Sequence, residues 1–448
     1  MPEGASGELS LRTVRGRTSL ARTFLAAVGG VLLLAGCGNF VASLTGAPTA
    51  GVSVAAPSPS PSPSASPSAA VILPLPNPPV GAGGGSATTL HWGTVFGTNT
   101  GMLDMLTAPV TMNLPGTVAE VGTSNSTQYA LLTNGSLYAW GVGTTGQLGD
   151  GGTQNSFDMP VQVRFPPGVK IAWIPTDAMP YDTGLAVDTT GHVWGWGENG
   201  GGELCTGTAT DYFTPVELPI GTVSALAGAS NHVVYDSDGA VWACGNNDDG
   251  DLGDGNLTDS KTPVQVWGLP GAAVTRLVAS FANSGALLAN GQYFDWGYNG
   301  DGQLGNGSLG SLSDVPVLVS LPGPVSQVAL GGSYWNNGQT LVILSTGAVW
   351  AWGNNQNCQL GTGQFGVQRD PVQVYPPSGV QYQSLATGSA TAYAISTAGN
   401  VYAWGVSHVG QVGDGGTKTV CYPVQIASHA AEVSSTADDA VISLAGQT

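Results

Sequence analysis

Residues 129–140 read YALLTNGSLYAW, two alternating apolar runs on either side of the Asn134-Gly135 pair. Asn-Gly between such runs is the strongest short-range signal for a β-hairpin, because the tight hairpin turn needs residues that accept a positive φ. The same arrangement recurs with glycine always in the second turn position, at Thr190-Gly191, Asp238-Gly239, Asn290-Gly291, Thr346-Gly347 and Ala398-Gly399. One short antiparallel unit is therefore repeated along the chain.

Two further markers repeat in phase with these hairpins. Each hairpin is followed by Trp-Gly, then in most copies by a glycine-rich segment such as residues 146–151 (GQLGDG), and then by Pro-Val. Trp-Gly begins at Trp92, Trp140, Trp196, Trp296, Trp352 and Trp404, with Cys244 at the remaining place. Pro-Val begins at Pro109, Pro160, Pro215, Pro263, Pro316, Pro371 and Pro423. Seven units of roughly 50 residues, each reading as four strands, predict an all-β, seven-bladed β-propeller.

Each end of the repeated region carries half of a hairpin. No hairpin strand precedes Trp92, whereas residues 440–446 (AVISLAG) repeat a hairpin strand and its turn. We expect residues 440–444 to pair with residues 88–92, so that both termini complete one blade. Such a closure leaves no unpaired edge between the first and last blades.

The residues before the repeats predict a targeting signal followed by a spacer. Residues 1–36 have an arginine-bearing start and an apolar run of signal-peptide length, and they end before Cys37 in LAG, which resembles a bacterial lipobox. The resemblance implies that Cys37 is acylated and anchors the chain to a lipid bilayer, facing the extracytoplasmic side. Residues 37–86 are rich in Pro, Ser and Gly, a composition typical of a semi-rigid stalk. Residues 87–448 would form the propeller.

The repeat pattern over residues 87–448 resembles the regulator of chromosome condensation repeat family. The shared order is strand, x-Gly, strand, Trp-Gly, Gly-Gln-Leu-Gly and Pro-Val. The resemblance implies a seven-bladed propeller with a split blade. Nuclear members are guanine-nucleotide exchange factors, but of the histidines that family repeats often carry only His232 fits here. For an exported, acidic chain, the more relevant family members are the secreted bacterial ones, including propeller-type β-lactamase inhibitory proteins.

Composition and motifs argue against several function classes. The net charge is −18, which disfavours nucleic acid as a partner because phosphate binding depends on Lys and Arg. Catalytic, zinc and phosphate-loop motifs are absent from the sequence, so we expect no cofactor, no metal and no enzyme activity. Residues 246–254 (NNDDGDLGD) are the richest acidic stretch, but Leu252 stands where an EF-hand needs glycine.

Four cysteines follow Cys37. Export would permit disulfides, and four cysteines allow three pairings. Cys205 and Cys244 lie in neighbouring repeats, as do Cys358 and Cys421, which favours these two pairs. The alternative is four buried free thiols, because Cys244 replaces a core tryptophan.

Residues just before the first strand of each hairpin are predicted to lie on one face of the ring. The candidates for an interaction site are Tyr181, His232, Phe281, Tyr334 and Trp335. Aromatic residues at such places anchor protein interfaces and sugar platforms, while Phe281 and Trp335 could instead pack between blades. We therefore expect a monomeric module that binds an envelope or secreted protein. The alternative is a module that binds a cell-wall glycan. An enzyme with a site in the central channel is a weaker alternative.

The lipid anchor has a direct test. Cys37→Ser removes the thiol that would be acylated, so the protein should leave the membrane fraction of its native host or accumulate as an unprocessed precursor. Fractionation and mass spectrometry of the mature chain provide the measurement. Unchanged partitioning and unchanged mass in the mutant would contradict the lipoprotein interpretation.

Overall fold

The computed structural model describes residues 85–448, with the exception of residues 97–102, 126, 177–178, 180, 230, 282, 311, 333–337, 437–438 and 446–448. The described residues belong to a compact unit, Val71–Thr448. They form twenty-eight strands, and none of them lies in a helix that could cross a bilayer. Cys37, Tyr334 and Trp335 lie outside the described residues.

Strands are numbered in chain order, beginning with β1 (Gly85–Phe96) and β2 (Leu103–Asn113). Blade 1 contains β3 (Val118–Ser124), β4 (Thr127–Leu132), β5 (Leu137–Gly141) and β6 (Ser156–Gln162). Blade 2 contains β7 (Ile171–Trp173), β8 (Thr183–Asp188), β9 (His192–Gly197) and β10 (Tyr212–Thr222). Blade 3 contains β11 (Ala225–Ala229), β12 (His232–Ser237), β13 (Ala240–Gly245) and β14 (Ser260–Gln265).

Blade 4 contains β15 (Val274–Ser280), β16 (Asn283–Leu288), β17 (Tyr293–Gly297) and β18 (Ser313–Leu318). Blade 5 contains β19 (Val325–Gly331), β20 (Gln339–Leu344), β21 (Val349–Gly353) and β22 (Gln368–Val374). Blade 6 contains β23 (Tyr382–Thr387), β24 (Thr391–Ser396), β25 (Val401–Gly405) and β26 (Val420–Ala427). The last two strands are β27 (Ala430–Thr436) and β28 (Asp439–Ala445).

Each blade is a four-stranded antiparallel sheet, and in blades 1 to 6 the strands follow one another in chain order. The hairpin predicted at residues 129–140 is present as β4 and β5, with Leu131 opposite Leu137 and Gly135 at a φ of 81°. The first strands of successive blades, from β11 through β27 to β3, pack against one another. They therefore lie nearest the centre of the ring.

Blade 7 combines both ends of the chain in the order β2-β1-β28-β27. In its central pair, Thr89 lies opposite Ser443, His91 opposite Val441 and Trp92 opposite Ala440. The predicted seven-bladed fold and its closure by the two termini are confirmed. The first strand begins at Gly85, two residues before the boundary expected from sequence.

The apolar core lies between blades. One cluster combines Ala243 and Leu252 of blade 3 with Leu277 and Trp296 of blade 4, and the other clusters likewise join neighbouring blades. All six tryptophans of the Trp-Gly motifs are almost fully buried. The two faces of a blade can be covered only by the adjacent blades, so each blade depends on its neighbours for burial of its apolar residues.

The buried indole N–H groups are satisfied across the blade junctions. Trp296 donates to the Asp251 carbonyl oxygen of the preceding blade at 2.9 Å. The equivalent bonds run from Trp92 to Gln411, Trp196 to Gln147, Trp352 to Gln303 and Trp404 to Gln359, at 2.7–2.9 Å. Trp140 of blade 1 instead donates to the side chain of Gln128 in its own blade. Pairing a buried donor in this way avoids a desolvation cost of about 1–3 kcal/mol.

The glycine-rich segment fits under the tryptophan of the next blade. A Cβ on Gly149 would come within 2.9 Å of the Trp196 ring, and Gly149 also has a φ of 64°. Each segment also donates a backbone N–H to the next blade's outer strand: from Gly151 to Phe213, Gly207 to Lys261, Gly255 to Asp314, Gly307 to Arg369, Gly363 to Cys421 and Gly415 to Thr107. The repeated glycines are thus required by close approach of two blades.

Two disulfides stand at blade junctions, and at the first of them the tryptophan of the junction is missing. Cys244 occupies a tryptophan position and Cys205 occupies the glycine position beneath it, and the two are bonded. Cys358 and Cys421 are bonded across the junction of blades 5 and 6, again with the first cysteine at a glycine position of the loop. Replacing the large indole by Cys244 leaves room for the Cβ of Cys205. These are the two pairs that neighbouring repeats favoured.

Candidate functional site

Two sets of loops form one end of the propeller, which we call the loop face. The inner loops join the first and second strands of each blade, and the outer loops join the third and fourth. Antiparallel strands alternate in direction, so both sets emerge at the same end. Backbone bonds hold them together: Glu198 N–H donates to the Asp182 carbonyl oxygen at 3.0 Å, and Asn246 N–H to that of Asn231 at 2.9 Å.

Tyr181 and Phe281 meet on the loop face. They lie in the inner loops of blades 2 and 4, and their ring centroids are 6.2 Å apart at an interplanar angle of 86°. This edge-to-face geometry is favoured by the quadrupoles of the two rings. Their blades are not adjacent, since blade 3 lies between them in the ring. The structure thus brings together two of the five residues proposed from sequence.

His232 does not lie on the exposed face, so that prediction is wrong. The side chain is 1% exposed, and its Nε2 lies 3.0 Å from the Ser284 hydroxyl of the next blade. His232 is the first residue of β12 and not part of the loop before it. Burial lowers the pKa of His232 to about 4. The equivalent positions in other blades hold Thr127, Thr183 and Thr391, all buried polar residues. Aligning the repeats of the sequence would have predicted a buried polar residue at position 232.

In each of four blades an asparagine holds the backbone of the outer loop in place. These asparagines are not among the candidate residues named from sequence. The Oδ1 of Asn247 accepts the Leu252 N–H at 2.9 Å, and its Nδ2 donates to the Asn256 carbonyl oxygen at 2.9 Å. The same bond to a leucine N–H is made by Asn199, Asn299 and Asn355. All four occur in the motif (Trp or Cys)-Gly-x-Asn, so these asparagines could have been identified from the sequence alone.

The asparagine of blade 3 also accounts for the acidic stretch at residues 246–254. The amide nitrogen of Asn247 donates to Asp254 Oδ1 at 3.2 Å, while Asp251 is buried within the junction. Among the described residues no group of three or more histidine, cysteine, aspartate or glutamate side chains has an arrangement that could hold a metal ion. The stretch is the outer loop of blade 3 with additional aspartates.

Two buried acids occupy positions that hold glutamine elsewhere. In blade 1, Gln147 Oε1 accepts the Thr145 N–H at 2.8 Å; Gln303, Gln359 and Gln411 accept equivalent bonds. Blades 2 and 3 have Glu203 and Asp251 at this place. Both oxygens of Glu203 and the Oδ1 of Asp251 are buried without a hydrogen-bond partner.

The environment of these two acids favours their neutral form. Burial raises the pKa of Glu203 to about 8, the negative charges of Glu198 and Asp211 add to the effect, and nearby backbone N–H groups offset it only in part. Burial, with the charges of Asp249 and Asp248, raises the pKa of Asp251 well above its usual range. A protonated glutamate resembles glutamine in shape and charge, so the outer loop of blade 2 keeps the geometry of the other blades.

Comparisons with known proteins agree with this architecture. Residues 134–175, 238–282, 290–334, 346–395 and 398–437 match the regulator of chromosome condensation (RCC1) repeat. The ultraviolet-B receptor UVR8 of Arabidopsis thaliana is 30% identical over 336 residues, which cover 72% of this chain and 72% of that protein. Human WBSCR16 superposes with a TM-score of 0.70 at 18% identity, covering 81% of this chain and 100% of that one.

Prp20p from Saccharomyces cerevisiae has a TM-score of 0.69 at 19% identity, over 82% of this chain and 92% of that one. Its structure was described together with its binding properties to Gsp1p and histones. At these identities the two solved structures show the shared fold alone.

Replacing the buried acid of blade 2 by the residue of its neighbours should stabilise the protein. The folded pKa of Glu203 lies near 8 and its usual value near 4.5, so the unfolded state loses this proton first and stability falls as pH rises between these values. Glu203→Gln should therefore raise Tm little at pH 5 and by about 2 °C or more at pH 8. Calorimetric melting curves across this range provide the measurement.

Glu217→Gln is the matched control, because Glu217 is exposed on β10 of the same blade. It removes one negative charge without changing the blade junction. A Tm gain of equal size in both variants at pH 8 would contradict the special environment of Glu203.

Proposed function

Because the chain belongs to the regulator of chromosome condensation (RCC1) repeat family, we propose that it is a non-catalytic propeller that binds another protein through its loop face, on the outer side of a bacterial membrane. The fold supplies seven similar scaffolds around one axis, and the loops carried by them differ from blade to blade. Variable loops on a rigid scaffold are the usual location of binding residues in such folds.

The observation that carries the proposal is the pair of Tyr181 and Phe281. Both side chains are only partly buried, and their rings contact each other on the loop face. Aromatic residues are enriched at the centres of protein interfaces, where a few of them supply most of the binding energy. Two adjacent rings provide such an anchor.

The backbone beneath Tyr181 is held in place before any partner arrives. The Thr183 hydroxyl lies 3.1 Å from the Tyr181 carbonyl oxygen and 2.7 Å from that of Glu198. Met179, two residues earlier, is buried in the core and donates its N–H to the Thr123 carbonyl oxygen of blade 1. Backbone bonded in this way at Met179 and Tyr181 loses little conformational entropy on binding, which favours affinity.

A protein is the favoured class of ligand because Prp20p, which has the same fold, was described with protein partners. The membrane location rests on the LAG sequence before Cys37, and the Pro/Ser/Gly-rich residues 37–86 would let the propeller reach a partner away from the bilayer. The partner is then an envelope or secreted protein.

Removal of one ring should weaken capture of the partner. Tyr181→Ala should reduce binding of the partner recovered from native envelope extract by about fivefold or more, the effect of losing an interface anchor worth at least about 1 kcal/mol. The measurement is a quantitative pull-down followed by surface plasmon resonance with the recovered protein. The Tm should change little because Tyr181 lies in a loop.

Tyr375→Ala is the matched control. Tyr375 is 73% exposed and follows β22 at the end of blade 5 opposite the loop face. Equal binding by the wild type and Tyr181→Ala, or equal loss in both variants, would contradict the proposed interface. Retention of the propeller on purified peptidoglycan, with no protein captured, would favour a glycan ligand instead.

A further inference from the structure

One part of the loop face carries six acidic side chains, and we call this part the acidic sector. It consists of residues from the inner and outer loops of three consecutive blades: Asp182, Glu198 and Asp211 of blade 2, Asp248 and Asp249 of blade 3, and Asp301 of blade 4. All of them are exposed or partly exposed. The sector is therefore open to a ligand at the loop face.

The charges of the sector act on one another. Burial raises the pKa of Glu198 to about 7, and the negative charges of Asp182 and Asp211 add to that effect. Burial and the charge of Asp248 raise the pKa of Asp249. Every charged group that shifts these carboxyls is itself an acid, so the sector contains mutual repulsion that nearby cations would relieve.

The sector is continuous across blades. A Cβ on Gly201 of blade 2 would come within 2.8 Å of the Asn246 side chain of blade 3. Tyr298 of blade 4 has its pKa raised by burial and by the charges of Asp301 and Asp249, which join blades 3 and 4. The carboxylates of three blades thus contribute to one negative surface.

The equivalent positions of blades 5 and 6 are neutral or weakly basic. The outer loop of blade 5 begins Asn354-Asn355-Gln356, and that of blade 6 begins Val406-Ser407-His408. The negative charge at these positions of blades 2 to 4 is consequently not a uniform feature of the repeat.

Two buried carboxyls stand behind this surface without hydrogen-bond partners. The negative charges of Glu198 and Asp211 raise the pKa of Glu203, and those of Asp249 and Asp248 raise the pKa of Asp251, in addition to the effect of burial. Unpaired buried acceptors cost free energy that the glutamines of the other blades avoid. A cation held at the exposed acids would favour the charged form of both carboxyls and so lower their pKa.

The aromatic pair borders the same region. Tyr181 directly precedes Asp182, and Phe281 lies in the inner loop of blade 4. Carboxylates bind Lys and Arg side chains through charge-assisted hydrogen bonds, and aromatic ring faces attract the same cations. Both types of group face a ligand from the same end of the propeller.

We infer that the acidic sector binds a lysine- or arginine-rich segment of the partner protein. Long basic side chains can reach carboxylates spread over three blades, whereas a metal ion needs closely grouped ligands, and no such group is present among the described residues. The inference rests on the proposed function, since it assigns the chemistry of the partner that docks on the loop face. Complementary charge would mainly accelerate association and select against acidic partners.

A charge-neutral sector tests the inference. The triple variant Glu198→Gln, Asp248→Asn and Asp249→Asn removes three acidic groups with nearly unchanged side-chain shape, and the titrations are run at pH 8, where Glu198 is mostly ionised. It should bind a fluorescent ten-residue oligolysine peptide about tenfold more weakly than the wild type at low salt, a difference that shrinks as salt screens the charges. Fluorescence anisotropy titrations at several salt concentrations measure this.

The control triple variant is Glu217→Gln, Asp238→Asn and Asp414→Asn, which removes the same number of acidic groups at exposed residues outside the sector. It should bind the peptide within about twofold of the wild type, because distant exposed charges are screened. Equal weakening in both triple variants, or none in the sector variant, would overturn the inference.

Capture of the native partner separates this inference from the proposed function. If the sector triple variant captures the partner as well as the wild type while Tyr181→Ala does not, the loop face is the interface but its acidic sector does not recognise the partner. If neither variant changes capture, the proposed function itself fails. Loss of capture in both variants supports both.

Discussion

The indole N–H of a buried tryptophan, donated across a blade junction to a backbone carbonyl oxygen, is the contact on which the ring depends. It occurs at five of the seven junctions, and it places the largest side chain of one blade beneath the glycine-rich loop of another. Burial of the ring supplies apolar contact, and the hydrogen bond fixes its orientation. The blades cannot move apart without exposing both.

The loops that accept these bonds also form the loop face. Gln147 illustrates the connection: its carbonyl oxygen accepts the Trp196 N–H, while its side chain holds the backbone of the outer loop at Thr145. Stability and the candidate binding surface therefore share the same residues. Glu203 and Asp251 replace this glutamine in two blades that carry much of the acidic sector, and carboxyl oxygens of both are buried without the partner that the glutamine oxygen has. Locally unfavourable residues of this kind are typical of functional sites.

Most of the fold could be predicted because it is periodic. Six copies of Trp-Gly with Cys244-Gly245 at the seventh place, and seven copies of Pro-Val, determine the blade count, and the half hairpins at residues 88–92 and 440–444 determine the closure. The candidate site could be predicted only in part. The burial of His232 depends on one residue of offset between loop and strand, and the contact of Tyr181 with Phe281 depends on how closely the loops of two non-adjacent blades approach each other. Neither is contained in the repeat pattern.

The most direct test of the account is site-specific photocrosslinking in the native host. A benzoylphenylalanine residue is introduced at position 281 on the loop face and, in a separate strain, at position 375 at the opposite end of blade 5. The account predicts one discrete protein adduct from position 281 and none from position 375. Adducts from position 375 with none from position 281 would contradict binding through the loop face.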